Sequence, residues 1–290
     1  MKPRNNLHIW AIFTLIAVAI FWGGGYTATQ LAIDNGWSTY SILLFKNSIA
    51  AVIATIFAIK TKFWKDKKLL LSGLIAGILF FAGYVFQITG QLYTSISNTA
   101  FITTTGLVFV PIIAWLVYRK KPYWTVFIAF TIEIVAAVLL SFATEIAFHI
   151  GDLLVMIGAI VYSIHILYIS NKCKDHNPLA LAAVQFFVMA VCSGVGVLID
   201  NKPIIGEING FYGILYLAIF SGVICLVGQI WAQKHLSPNE TSIIISQEGL
   251  FASIIAIILY GEVITTNLIM GAILMTVALL ILQINPKKNE

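Results

Sequence analysis

Ten apolar runs of about 20 residues divide this chain almost end to end, and no other feature limits its fold as strongly. They cover roughly 8–33, 40–59, 69–92, 96–118, 124–143, 152–171, 178–199, 210–233, 239–260 and 264–284, cut wherever charge, Pro, Asn or Gly clusters intervene. A helix rises about 1.5 Å per residue, so each run matches the roughly 30 Å hydrocarbon core of a bilayer. With no water there to pair backbone N–H and C=O groups, each run is expected to be a helix. Composition agrees: 60% of the residues are hydrophobic and 10% charged, where a soluble domain carries about 25% charged. The apolar fraction excludes disorder, and three cysteines in 290 residues with no CxxC exclude a disulfide scaffold. The first run exceeds a signal-peptide core and lacks a small-residue cleavage site, so it reads as the first membrane helix. The expected fold class is an all-α integral membrane protein with ten transmembrane helices.

Basic residues occupy alternate loops: Lys2 and Arg4, then Lys60 to Lys68, then Arg119 to Lys121, then Lys172 and Lys174, then Lys234, then Lys287 and Lys288. The intervening loops hold Lys202 as their one base, beside Asp34, Glu145, Asp152, Asp200 and Glu207. By the positive-inside rule both termini face the cytoplasm of a multi-pass protein in the cell (inner or plasma) membrane. The net charge of +5 is thus a topology signal. Bases split among short loops make no nucleic-acid footprint.

Sliding the chain on itself by 142 positions places Gln87 over Gln229, Gln91 over Gln233, Ser95 over Ser237 and Thr99 over Thr241. Phe109 then falls on Phe251, Ile112 to Ala114 on Ile254 to Ala256, and Tyr118 on Tyr260. Polar residues are scarce in so apolar a chain, which gives the coincident glutamines their weight. The chain therefore reads as two five-helix repeats, 1–145 and 146–290. Five is odd, so the second copy enters from the opposite side and the repeats have inverted topology. Inverted repeats that rock about a site at their interface are the architecture of alternating access.

The strings that punctuate these repeats are Trp22-Gly23, YTS at 93–95, VPIIAWLVYRKKP at 110–122, GDLL at 151–154 and NPLALAAVQ at 177–185. QIWAQK at 229–234, LSPNET at 236–241 and EGLFASIIAIILYGE at 248–262 complete them. In order and spacing they resemble the drug/metabolite transporter superfamily, and within it the ten-helix EamA-type transporters. The resemblance implies a secondary-active carrier without ATP hydrolysis that exports small metabolites such as amino acids. The chain departs from the family pattern at Gln30, where a Lys is common, at Lys46, where Arg is common, and at Gly249, where Pro is common.

Charges inside a membrane are costly, about 2.5 to 3.5 kcal/mol each on insertion scales, and so are candidates for function. Lys46, Glu133 and Glu248 lie well within runs. Glu248, in the polar stretch 246–248, is suited to binding a substrate ammonium or carrying a coupling proton. Lys46 is suited to a substrate carboxylate or to pairing with Glu248, with snorkelling towards the near interface as the plain alternative. Glu133 has no polar neighbour in its stretch and reads as a structural or oligomer contact. Gln87, Gln91, Gln185, Gln229 and Gln247, with the threonines at 103–105, offer amides and hydroxyls to an uncharged or zwitterionic solute, with interhelical hydrogen bonds as the plain alternative. Trp22, Tyr26, Tyr84, Tyr162 and Trp231 neighbour Gly or Gln and are candidates to stack on a solute, while His165 reads as a proton relay or a hydrogen-bonding core residue. Glycines 23–25 and the Gly73/Gly77 pair predict close helix contacts, and Pro111 predicts a kink. The expected partners are a small-molecule solute and the lipid bilayer, with proton coupling as an option, no nucleic acid, no cofactor and no metal, in a monomer or homodimer. Uniport by the same scaffold is the nearest alternative. A membrane enzyme acting on lipids or a channel is less favoured, because neither a metal, nucleophile or P-loop motif nor a charged ring stands in the sequence.

Overall fold

The computed structural model describes residues 4–106, 108–119, 124–141, 149–200 and 202–283, and every regular element among them is helical. In chain order they are α1 (Arg4–Asp34), α2 (Thr39–Ala58), α3 (Lys67–Gln91), α4 (Ile96–Gly106), α5 (Phe109–Tyr118), α6 (Trp124–Ser141) and α7 (Ile150–Lys172). They continue as α8 (Pro178–Asp200), α9 (Ile208–Ala218), α10 (Cys225–Ala232), α11 (Pro238–Ile245), α12 (Glu248–Tyr260) and α13 (Thr266–Gln283). Single crossings are α1, α2, α3, α6, α7, α8 and α13. The pairs α4–α5, α9–α10 and α11–α12 are crossings interrupted part-way, so the expected ten runs become ten transmembrane segments. Lys2, Lys120, Lys121, Glu145, Lys287 and Lys288 lie outside the described residues, as does the side chain of Glu133 on α6.

Local sequence sets the ends of these helices. Ser38 accepts from the Ser41 N–H before α2, and Asp66 accepts from the N–H groups of Lys68 and Leu69 before α3. Asn177 does the same for Leu179 and Ala180 at the start of α8. Before α11, Ser237 and Glu240 cap each other's backbone N–H, with Pro238 at the first position, where its missing N–H costs nothing. At the other end α5 and α12 stop in the same way. Arg119 (φ 55°) and Gly261 (φ 65°), 142 positions apart, both take the left-handed conformation.

The two repeats interlock. The most extensive packing joins α2 to α8, α3 to α7 and α6 to α13, each pair taking one helix from each repeat. Likewise α1 of the first repeat lies against α9, α10, α11 and α12, while α7 of the second lies against α3, α4 and α5. These partnerships exchange under the 142-residue offset. Small residues permit the close approaches. A Cβ on Gly77 would sit 3.0 Å from Val188 Cβ and 3.1 Å from the Gln185 carbonyl, so α3 can meet α8 this closely only through glycine. Glycines 23–25 do the same for α1, which meets Phe251, Tyr216 and Ser221 on three successive sides. Leu198, Ile199, Ile258 and Leu259 project outward, mostly exposed, as a lipid-facing surface requires.

Candidate functional site

A cavity opens where the interrupted helices cross the continuous ones. Its walls leave about 570 Å³ unfilled, the open mouth included. Helical spacing brings its lining together: Trp22, Tyr26 and Thr29 from α1, Phe80, Tyr84 and Gln87 from α3, and Tyr162, His165 and Ile166 from α7. Steps of three, four and seven residues place each set on one face of its helix. Thr103 on α4, Leu217 on α9, Ser221, Gln229 on α10, Ile245 on α11 and Glu248 on α12 close the wall.

The helix interruptions bear directly on this wall. In the second repeat α11 ends at Ile245 and α12 begins at Glu248, so the carboxylate stands in the first turn of a half-helix, the end whose dipole favours negative charge. In the first repeat the matching crossing breaks between Gly106 and Phe109, upstream of Pro111, as the proline predicts. Between α9 and α10 the chain makes a π-helical segment, Ile219–Ile224, which frees the Ser221 carbonyl to accept from Trp22 Nε1 at 2.8 Å. That bond fixes the indole in the wall.

Most donors in the wall are already engaged. Tyr26 Oη donates to Glu248 Oε1 at 2.9 Å, linking the two repeats through the one acid of the cavity. Tyr162 Oη donates to Gln87 Oε1 at 2.9 Å, and Gln87 Nε2 donates to Thr103 Oγ1 at 3.2 Å. Thr103 in turn donates to the Thr99 carbonyl at 2.7 Å. Among the described residues the Gln229 side chain makes no hydrogen bond, its Oε1 being fully buried, and the Thr29 hydroxyl and Glu248 Oε2 are likewise without one. No cationic side chain pairs with Glu248 among those residues either. Around these groups the rings of Phe80, Tyr84 and Tyr162 pack edge to face at 4.9 to 5.7 Å, and Phe80 stacks on His165 at 4.6 Å.

Of the residues singled out in the sequence, Trp22, Tyr26, Tyr84, Gln87, Tyr162, His165, Gln229 and Glu248 meet at this cavity. Lys46, Gln185, Trp231 and Gln247 do not line it. Lys46 has no exposed surface, so it does not snorkel, and it makes no ion pair with Glu248. Its Nζ lies 3.1 Å from the centre of the Tyr84 ring and has no hydrogen-bond acceptor among the described residues. Gln185 stands behind the wall, its Oε1 2.9 Å from His165 Nε2, and it thereby orients the imidazole. Trp231 packs edge-on against His235, and Gln247 caps α12 half-buried. Phe80, Thr29 and Ser221 were not anticipated. Phe80 was findable, being four and seven residues before Tyr84 and Gln87 on one helical face. Ser221 was not, because its place depends on a π segment that leaves no periodic trace.

Comparison with known proteins fits this architecture. The model of the EamA-like transporter family matches residues 9–142 and again residues 149–284. The chain belongs to that family and is a multi-pass membrane transporter. An uncharacterized transporter of Archaeoglobus fulgidus is 29% identical over 283 residues, covering 95% of this chain and 86% of its own. Another uncharacterized transporter, from Clostridium kluyveri, is 22% identical over 302 residues, covering 96% and 94%. A solved crystal structure shares the fold with a TM-score of 0.71 over 94% of this chain and 95% of its own, at 9% identity.

Proposed function

We propose that this protein is a secondary carrier that moves a small organic metabolite outward by alternating access, its two five-helix repeats rocking about the cavity at their interface. The repeats divide near residues 145 and 146 and have inverted topology, with both termini cytoplasmic in the cell membrane. One observation carries the reading: the cavity is walled by both repeats, and two of its lining residues, Ile245 and Glu248, flank the break between α11 and α12. Broken helices place helix ends beside a midplane site and supply hinge points for movement. An exchangeable proton on Glu248 would make the cycle secondary-active, and uniport is the alternative on the same frame. Amino acids are the solute class that the family resemblance implies. Catalysis plays no part in this reading.

Purified protein in liposomes tests it. A carrier shows saturable flux and accelerated exchange of labelled solute when unlabelled solute is trapped inside, and Glu248→Gln abolishes both while the protein stays monodisperse. Flux proportional to concentration with no counterflow would replace the carrier by a channel.

A further inference from the structure

Resting on the carrier reading, we propose that the cavity selects an organic cation, an amine on an apolar or aromatic body, over the zwitterion or carboxylate of the same skeleton. The pattern of engaged and free groups points there. Tyr26 Oη, Tyr162 Oη, Gln87 Nε2 and Trp22 Nε1 are donors already committed within the wall. The one charged group of the wall left with a free atom is an acceptor, Glu248 Oε2, beside the neutral and still unbonded Gln229 amide and Thr29 hydroxyl. A buried acceptor left unpaired is costly, so the complementary ligand is one that brings donors and, facing a carboxylate, positive charge. An ammonium does both.

The rest of the wall fits the same guest. Tyr162 presents a π-system that attracts a desolvated cation, and with Tyr84 it accepts an apolar body. A carboxylate on the guest would find no base waiting. Lys46 Nζ lies against the Tyr84 ring with no exposed surface, and His165 is held by Gln185. A guest carboxylate would also place a second negative charge near Glu248 in a water-poor site, a juxtaposition that costs several kcal/mol.

A matched set of probes on one skeleton decides the matter: phenethylamine, phenylalanine and 3-phenylpropionate, with butylamine and tetraethylammonium as cations of other shapes. Binding to the purified wild-type protein is read by calorimetry and by ligand-dependent thermal shift. At least one cation binds, phenylalanine binds at least about tenfold more weakly than phenethylamine, and 3-phenylpropionate gives no signal. Glu248→Gln weakens the cations by at least about tenfold, whereas Lys46→Met leaves their affinity within about twofold. Phenylalanine binding as tightly as phenethylamine overturns the proposal, as does the absence of binding by every cation. If Glu248→Gln does not purify, the wild-type series alone carries the decision. The two readings fail differently. Cation binding without counterflow would remove the carrier and keep the cation site, while counterflow of phenylalanine but of no amine would do the reverse.

Discussion

Glu262 offers a way to test the movement without knowing the solute. It follows the left-handed cap Gly261 in the second repeat, yet its carboxylate accepts from the N–H groups of Ile96 at 3.1 Å and Ser97 at 3.4 Å, and from the Ser97 hydroxyl, at the start of α4 in the first repeat. At the same end Thr94 bonds Asp152 at 2.8 Å, and Trp37 Nε1 donates to the Glu207 carbonyl at 2.9 Å. These bonds hold the repeats together at the end opposite the basic loops. A hydrogen bond to a charged acceptor contributes about 1.5 to 3 kcal/mol net when buried. Glu262 is half-buried, so we assign about 1 to 2 kcal/mol to the whole set, a factor of roughly 5 to 30 in the ratio of closed to open forms at this end. Glu262→Ala should release that factor. Thr29 lines the cavity near the same end of α1, and Thr29→Cys in a Cys192→Ala background reports opening through its reaction with a membrane-impermeant maleimide. Cys225 is fully buried and Cys173 nearly so. When opening is fast relative to labelling, the rate follows the open population. Glu262→Ala should therefore speed labelling of the introduced thiol about 5- to 30-fold. A rate within about twofold of the parent's, in a protein that stays folded and monodisperse, would show that this cross-repeat contact does not hold the end closed.

Three further outcomes follow from the same geometry. Gly77→Val must push its branched side chain into Val188 and the Gln185 carbonyl, and should cost about 1 to 3 kcal/mol, read as a lower unfolding midpoint in detergent. Tyr162→Phe removes the donor to Gln87 Oε1 and should cost about 0.6 to 1.7 kcal/mol, while a double-mutant cycle with Gln87→Leu should return a coupling of similar size. Burial pushes the Cys173 thiol, in the loop after α7, up to about 11 against the opposing hydrogen bond from Ser72. The reactive thiolate is therefore scarce below that pH, so maleimide at pH 8 should leave Cys173 unmodified in the folded protein and label it promptly in denaturant.

The crossings were legible because their signal is the longest-range one a sequence can carry. About 20 apolar residues between polar loops fix a span whatever surrounds it. The repeat was legible through Gln87 and Gln229, which are conspicuous only because polar residues are scarce, and both reach the cavity wall. Depth alone could not place Lys46. An internal lysine reads the same whether it faces a cavity, a lipid interface or an aromatic ring, and the ring of Tyr84 comes from a helix that sequence spacing does not bring to its side. Gln185 shows the same limit at shorter range. Its partner His165 lies on another helix, and the pairing across α7 and α8 decides which of the two faces the cavity. Residues on a shared helical face were recoverable, as Phe80 shows. Pairings between helices were not.

The offset that relates the two repeats also separates frame from chemistry. Under it the broken crossings coincide, the left-handed caps at Arg119 and Gly261 coincide, and the cavity glutamines coincide. The acid does not. Glu248 falls on Gly106, where α4 lies so close to α7 that a Cβ would clash with Ala159. Trp22 falls on Ile164, and Tyr84 on Leu226. A symmetric frame lets two states at opposite faces be nearly equal in energy, which a reversible carrier cycle requires. One acid with its rings, contributed unequally by the two halves, leaves a single carboxylate in the cavity in place of a repelling pair. Introducing the missing twin as Gly106→Glu would tax both roles at once: the side chain has no room against Ala159, and its charge would sit across the interface from Glu248.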